Sequence, residues 1–333
     1  MKFAIDGQQL VAGREFVAAA FSPSASGTFD VFHFLQDSAS KTDVLAFTSK
    51  HDLSGKFLLI HNKVKDTVLK YLTEIPAGLM ILRDKQLIWK VSDAFREGRF
   101  PVIYVHTDLD PAKIGRVSVN IDSKYKEDYQ TQNVMAWVPG KKHPEKFIFL
   151  TAHYDHLGRM GKDVYFPGAN DNASGTAMIL DLARYFSQPG NQPDYSIGFI
   201  AFAAEEAGLL GSAYAAEHPP VDLENIEFLV NLDMVGTGSE GITIVNGKQL
   251  PDAFAVFQKI NDDKGYLKEV KARGESCNSD HCMFYKKGVP AVFIYTRGKE
   301  FMEYHNQDDV AEALPLTRYE DLFKLLLDFV NTF

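Results

Sequence analysis

The chain has 333 residues, 45% hydrophobic and 24% charged, a composition that suits a folded protein of more than one typical domain and excludes intrinsic disorder. A formal net charge of −9 argues against nucleic acid as a partner: phosphate binding draws on basic patches, and no run of Lys or Arg here exceeds a pair. No apolar run approaches the roughly 18 residues of a membrane span, and the opening Met1-Lys-Phe-Ala-Ile-Asp-Gly-Gln-Gln9 is too polar for a signal peptide's apolar stretch.

Residues 1–40 read as mixed and turn-rich, with Ser22-Pro-Ser-Ala-Ser-Gly27 a loop. A strand at Asp52 to Ile60, a helix at Val64 to Ile75 and strands at Ala77 to Leu82 and Phe100 to Val105 then mark a small α/β unit. Its boundary is expected between Asp108 and Gly115. Beyond it, Arg116 to Asp122 and Asn133 to Val138 are expected to open a second, larger sheet. Phe147 to Leu150 has the length and bounding turns of a buried strand. The small-residue turn Pro167 to Thr176 feeds a helix at Ala177 to Phe186, with Ser174 as its expected N-cap. The apolar runs Ile197 to Ala204 and Ile226 to Leu232 read as further strands.

Metal-binding side chains occur in this second region in the order His153, Asp171, Glu206, Asp233, His305, with Glu205 beside the third. His153, the Glu205-Glu206 pair and Asp233 each close an apolar run, at the strand ends where open α/β sheets place their ligands. Zinc takes imidazole nitrogen and carboxylate oxygen and, in catalytic sites, leaves a position for water. Two histidines and three carboxylates hold two such ions if one carboxylate bridges, which sets the metals roughly 3.5–4 Å apart. Glu205 is then spare, and a carboxylate beside a metal-bound water is placed to take its proton. Taken singly, these aspartates would be turn or capping residues and these histidines ordinary partly buried ones. His143, His156, His218 and His281 are read in that ordinary way, His156 because the ligand count is already filled.

The strings His153-Tyr-Asp-His-Leu-Gly158, Gly168-Ala-Asn-Asp-Asn-Ala-Ser-Gly175, Glu205-Glu-Ala-Gly-Leu-Leu-Gly-Ser212, Asn231-Leu-Asp-Met-Val-Gly236, Ser279-Asp-His281 and Tyr304-His305 resemble the co-catalytic zinc aminopeptidase family. That family includes bacterial leucyl aminopeptidases and, more distantly, glutamate carboxypeptidase II. The resemblance covers about residues 116 to 333. It implies an α/β fold with a mixed central sheet flanked by helices, and two Zn2+ ions per chain. Residues 1–115 resemble more weakly a compact protease-associated domain, placed before a catalytic domain at 116–333.

Position by position, the resemblance implies His153 and Asp233 on one zinc, Glu206 and His305 on the other, and Asp171 bridging. Glu205 becomes the general base. Asp155 orients His153, Asp280 lies just behind the ligands, Tyr304 stabilises the tetrahedral oxyanion, and Asp309 is structural. One departure concerns substrate contacts: a secreted bacterial relative carries arginine where this chain has Asn278. The implied activity is a zinc-dependent exopeptidase, an aminopeptidase that hydrolyses peptides at their free N-termini with a metal-bound hydroxide. Export is implied as well, with the leader absent from this chain.

The alternatives are a dinuclear zinc carboxypeptidase or deacylase, a single-zinc glutaminyl cyclase of the same fold and a noncatalytic receptor-like relative. The first typically lacks the Asn170/Asn172 flanks of Asp171, the second loses the Asp171 to Gly175 string, and the third loses metal ligands. Cys277 and Cys282 fit either a local disulfide, which implies an oxidising compartment, or two small buried thiols.

Overall fold

The computed structural model describes residues 1–34, 40–60, 72, 76–91 and 97–333. Two compact units emerge. The first comprises Met1–Tyr129, Leu157–Phe166 and His305–Gln307; the second comprises Gln130–His156, Pro167–Tyr304 and Asp308–Phe333.

In the first unit, β1 (Lys2–Ile5), β2 (Gln8–Gln9), β3 (Phe16–Ala18), β4 (Ala25–Phe34), β5 (Phe57–Ile60), β6 (Gly78–Leu82), β7 (Val102–Val105) and β8 (Arg116–Ile121) form one sheet. Its order is β2-β1-β8-β4-β5-β6-β7-β3, with β4, β5, β6 and β7 parallel to one another and β8 and β3 antiparallel at the two ends of that run. Helix α1 (Lys41–Thr48) starts at a capping box in which Ser40 and Asp43 satisfy each other's backbone N–H. The expected helix at Val64 to Ile75 falls outside the described residues.

Two expectations are corrected here. Within residues 1–34 the expected turns are present at Asp6–Gly7, Gly13–Glu15 and Ala20–Phe21, but β1 to β4 lie between them, and Ala25 to Gly27, expected in a loop, belong to β4 and pair with β8. Ladder pairing overrides the local preference of the Ser and Gly residues there. Arg116 to Ile121, expected to open the larger sheet, instead pairs with β1 (Phe3 opposite Val119) and with β4 (Gly27 opposite Val119). Its alternation, with Val117, Val119 and Ile121 buried, suits any half-covered sheet and does not specify its partner.

In the second unit, β9 (Val134–Val138), β10 (His143–His153), β13 (Tyr195–Phe202), β14 (Ile226–Leu232), β15 (Gly241–Val245), β16 (Val270–Ala272) and β17 (Ala291–Arg297) form a mixed sheet in the order β16-β15-β17-β14-β10-β13-β9. β11 (Gly158–Met160) and β12 (Val164–Phe166), which belong to the first unit, make a separate hairpin. The centre, β13-β10-β14-β17, is parallel, and β9 joins it antiparallel. Parallel strands are covered on both faces, which explains their unbroken apolar runs. Ile148, Leu150 and Ala152 pack with Met178, Ile179, Leu182 and Phe186 of α2 (Ser174–Phe186), with Phe257 of α3 (Pro251–Lys264) and with Leu322, Leu325 and Phe329 of α4 (Tyr319–Val330). Phe147 and Phe149 face the other way, toward Phe202, Ala215, Ala216 and Phe284. Among the described residues no helix is long and apolar enough to cross a membrane.

Gly198 on β13 lies directly opposite Phe149 on β10, and a Cβ there would come within 2.1 Å of the Phe149 ring. Gly198→Ala should therefore overpack the sheet and destabilise the protein by about 1–3 kcal/mol. Urea denaturation measures it, and an unchanged midpoint would contradict this packing.

Candidate metal centre

The parallel centre of the second sheet aims its carboxyl ends at one place. β10 ends on His153, Asp233 follows β14, and Glu205 and Glu206 come shortly after β13 ends at Phe202. Asp171 sits in the tight turn 169–173, whose Asp171–Asn172 peptide bond is cis. Ala204 and Met234, the residues beside Glu205 and Asp233, both hold left-handed backbone, with φ of 55° and 58°. Non-glycine residues take that region at a cost and tend to do so at functional sites.

His153, Asp171 and Asp233, all buried, each offer a ligand atom within 4.8 Å of the others. His153 Nε2 is 3.3 Å from Asp171 Oδ1 and 3.5 Å from Asp233 Oδ1. Two ligands of one tetrahedral zinc, with bonds near 2.05 Å, stand about 3.3 Å apart. The spacing therefore fits a shared ion. The other ring nitrogen, Nδ1, faces the Asp155 carbonyl at 3.1 Å, leaving Nε2 for metal. The Asp155 carboxylate is farther, at 3.7 Å. Its two oxygens instead accept from the Glu205 N–H (3.0 Å) and the Glu206 N–H (3.2 Å), fixing the glutamate pair against the histidine strand.

A second group joins Asp171 and Glu206 to His156, again with ligand atoms within 4.8 Å. His156 Nδ1 is 2.8 Å from Glu206 Oε1. Sequence reasoning set His156 aside, yet it lies against an expected ligand. Asp171 belongs to both groups. His305 counts with the first unit, where its carbonyl accepts from the Trp89 N–H at 2.9 Å and its φ is 52°.

Hydrogen bonds lash these donors to the scaffold and explain the motif residues. Asp309 accepts from the Asn170 and Asp171 N–H groups, at 2.7 and 3.1 Å, and so anchors the turn. Asn170 Oδ1 accepts from Gly236, Asn172 Oδ1 from Gly175 and Met234, and Asn172 Nδ2 donates to the Leu232 carbonyl. The Asp171 turn is thereby tied to the segment that carries Asp233. Ser174 is the first residue of α2 and not its N-cap, which is Ala173. Its hydroxyl donates to the Asn170 carbonyl and accepts from Val235, serving the turn. Ser279 donates to Asp233 Oδ2 at 2.8 Å while accepting from Asn231 Nδ2, whose Oδ1 accepts from Thr151. Nothing in the sequence marks Thr151, Asn231 and Ser279 as supports, because a buried polar relay has no sequence period. Cys277 and Cys282 form a disulfide, with Cα atoms 5.0 Å apart, that brackets Ser279.

The electrostatics follow from burying carboxylates together. Burial, the largest influence, raises the Glu205 carboxyl to about 9; His153 pulls it down, while Asp233, Asp280 and Glu206 push it up. Burial likewise raises Asp280 to about 7 against the lowering influence of His153 and the Ser212 hydroxyl, with Asp233 and Asp155 adding to the rise. At His153 burial disfavours the cation, yet Asp233, Asp155 and Asp171 overcome it and hold the imidazole well above its usual range. Tyr304 is raised by burial and then by Asp171, Glu206, Asp233 and Glu205, so its phenol remains a donor. Cations placed among these groups offset the like-charge repulsion and reverse the upward shifts. The donor set therefore fits two metal ions.

A mixed sheet with histidine and carboxylate donors gathered at its carboxyl ends has the architecture of a metal-dependent hydrolase. Residues 133–330 match Peptidase family M28, and the chain belongs to that family. Aminopeptidase YwaD of Bacillus subtilis is 30% identical over 235 residues, 66% of this chain and 48% of that protein. A probable leucine aminopeptidase of Arthroderma otae is 28% identical over 231 residues, 65% of this chain and 61% of its own length. The chain spans about half to three-fifths of the length of these curated relatives. Among solved structures, BSAP, a zinc aminopeptidase from Bacillus subtilis, superposes with a TM-score of 0.76 at 23% identity, over 100% of this chain and 81% of that one. An aminopeptidase from Aneurinibacillus sp. strain AM-1 gives a TM-score of 0.66 at 20% identity, over 99% of this chain and 79% of that one.

His281, beside Asp280 and fully buried, supplies a pH test. Burial lowers its imidazole from 6.5 to about 4, outweighing the raising influence of the backbone at Ser276 and Ser279. The unfolded chain thus binds this proton first as pH falls. The contribution to stability is complete above about 6.5 and lost as pH drops through about 4. His281→Gln should remove that part of the acid sensitivity, about 3 kcal/mol over the window. Urea denaturation of both proteins at pH 7 and pH 4 measures it, and parallel losses would contradict the burial argument.

Proposed function

We propose that the chain is a zinc-dependent exopeptidase that removes residues from the free N-termini of peptides. The observation that carries this reading is Asp171 shared between two donor groups, one with His153 and Asp233 and the other with Glu206, while Glu205 stands beside Glu206 and outside both. In the proposed assignment His153 and Asp233 hold one zinc, Glu206 and His305 the other, and Asp171 bridges. Two zinc ions so held would polarise the scissile carbonyl and acidify water.

The chain's own groups perform the proton work. Glu205 takes the proton of the attacking water and delivers it to the departing amine. The Tyr304 phenol donates a hydrogen bond to the developing oxyanion. Asp155 keeps Glu205 and Glu206 in place through their backbone N–H groups, and Asp280 adds negative charge behind His153. The names of the aminopeptidase relatives support the preference for a free N-terminus. The intact Asn170 to Gly175 string supports it over the carboxypeptidase, cyclase and receptor readings. The first unit acts in this reading as a noncatalytic, protease-associated-like domain. The Cys277–Cys282 disulfide supports action in an oxidising compartment, and hence export.

Aminoacyl anilides and free peptides should be hydrolysed with zinc present and their N-acetylated forms should not; cleavage of both alike would contradict the exopeptidase assignment. Glu205→Gln should lower kcat by about 10²–10⁴-fold with zinc near two per chain, whereas Glu206→Gln should lose metal. Metal analysis beside kinetics separates the two roles. Near-normal turnover in the Glu205 variant, or zinc loss from it as severe as from the Glu206 variant, would overturn the division of labour.

A further inference from the structure

We propose that His156 is itself a ligand of the second metal, through Nδ1. The inference rests on the reading of Glu206 as a metal ligand. The two donor groups are built alike: His153, Asp171 and Asp233 in one, His156, Asp171 and Glu206 in the other. Each combines one imidazole with the shared Asp171 and one further carboxylate. Both histidines leave the end of β10, three positions apart, with the Asp155 carboxylate between them occupied by the Glu205 and Glu206 N–H groups.

The distances distinguish the two sites. The His153 pairs, at 3.3 and 3.5 Å, match the edge of a tetrahedron. His156 Nδ1 and Glu206 Oε1, at 2.8 Å, are closer than that. That is hydrogen-bond distance, and a shared zinc needs the pair only to open to about 2.9 Å for ligands at right angles or about 3.3 Å for a tetrahedron. Asp171, Glu206 and His156 then supply that ion with three protein ligands.

The backbone is shaped to admit the ring. Gly168 opens the Asp171 turn at φ 70°, and a Cβ there would come within 2.4 Å of His156 Cγ. Glycine at this position lets the turn that carries Asp171 lie directly on the imidazole. His156 is also nearly buried, with 9% of its side chain exposed against 7% for Glu206. The pair is therefore largely shielded from water, where a cation between nitrogen and carboxylate oxygen is held most firmly.

The test uses the full chain labelled with 15N-histidine and loaded with 113Cd as the metal probe. Scalar coupling between 113Cd and a histidine nitrogen reports a direct bond, and His156→Gln assigns the signal. The proposal expects 113Cd coupling to His156 Nδ1 in the unsubstituted protein. It also expects His156→Gln to weaken zinc binding at the second site by more than the roughly 10–100-fold that loss of an outer hydrogen-bond partner costs. No coupling at His156 would overturn the proposal, and a 10–100-fold weakening without coupling would make His156 a positioning residue instead. Coupling at His156 without coupling at His305 would uphold the proposal and remove His305 from the assignment above. A Glu206→Gln protein that retains both ions would end that assignment and this proposal together.

Discussion

The constraint on which the second unit depends is negative charge gathered out of water. Asp171, Glu206 and Asp233 are buried, and Glu205 and Asp280 lie close enough that burial and mutual repulsion raise their carboxyl groups to about 9 and about 7. Such a cluster costs stability unless cations share it, because like charges repel more strongly as water is excluded. The fold holds this arrangement by spending backbone strain at Ala204 and Met234 and by committing Asp309, Asn170, Asn172, Ser174 and Ser279 to fixing the donors.

Three levels of structure serve that purpose. The parallel strands at the sheet centre bury both faces, so their register is firm and their carboxyl ends are fixed relative to one another. Hydrogen bonds then lock the Asp171 turn to the segment after β14, and the Ser279 hydroxyl joins Asp233 to Asn231. Side-chain chemistry comes last. With the donors fixed before any ion arrives, little reorganisation remains when it binds.

Much of this was legible in the sequence because it is local. The apolar runs at Phe147 to Leu150, Ile197 to Ala204 and Ile226 to Leu232 announce strands, and His153, Glu206 and Asp233 lie at or shortly after their ends. The Asn170 and Asn172 flanks of Asp171 mark a tight polar turn before its contacts are known. Pairing partners were not legible. Arg116 to Ile121 alternates as a strand should, but nothing in it distinguishes β1 and β4 from the larger sheet. The strands of residues 1–34 are not legible either, because long-range ladder bonds outweigh the turn preference of Ser and Gly. His156 was set aside by ligand counting, a rule that carries no geometry; only the folded turn at Gly168 shows its ring beside Glu206.

Asp171 stands where two metal ions would share it. Diffraction from crystals grown with zinc, recorded on both sides of the zinc absorption edge, tests it most directly. Two anomalous peaks are expected roughly 3.5–4 Å apart, each about 2.0–2.2 Å from a carboxylate oxygen of Asp171. A single peak, or two peaks of which only one contacts Asp171, would contradict it.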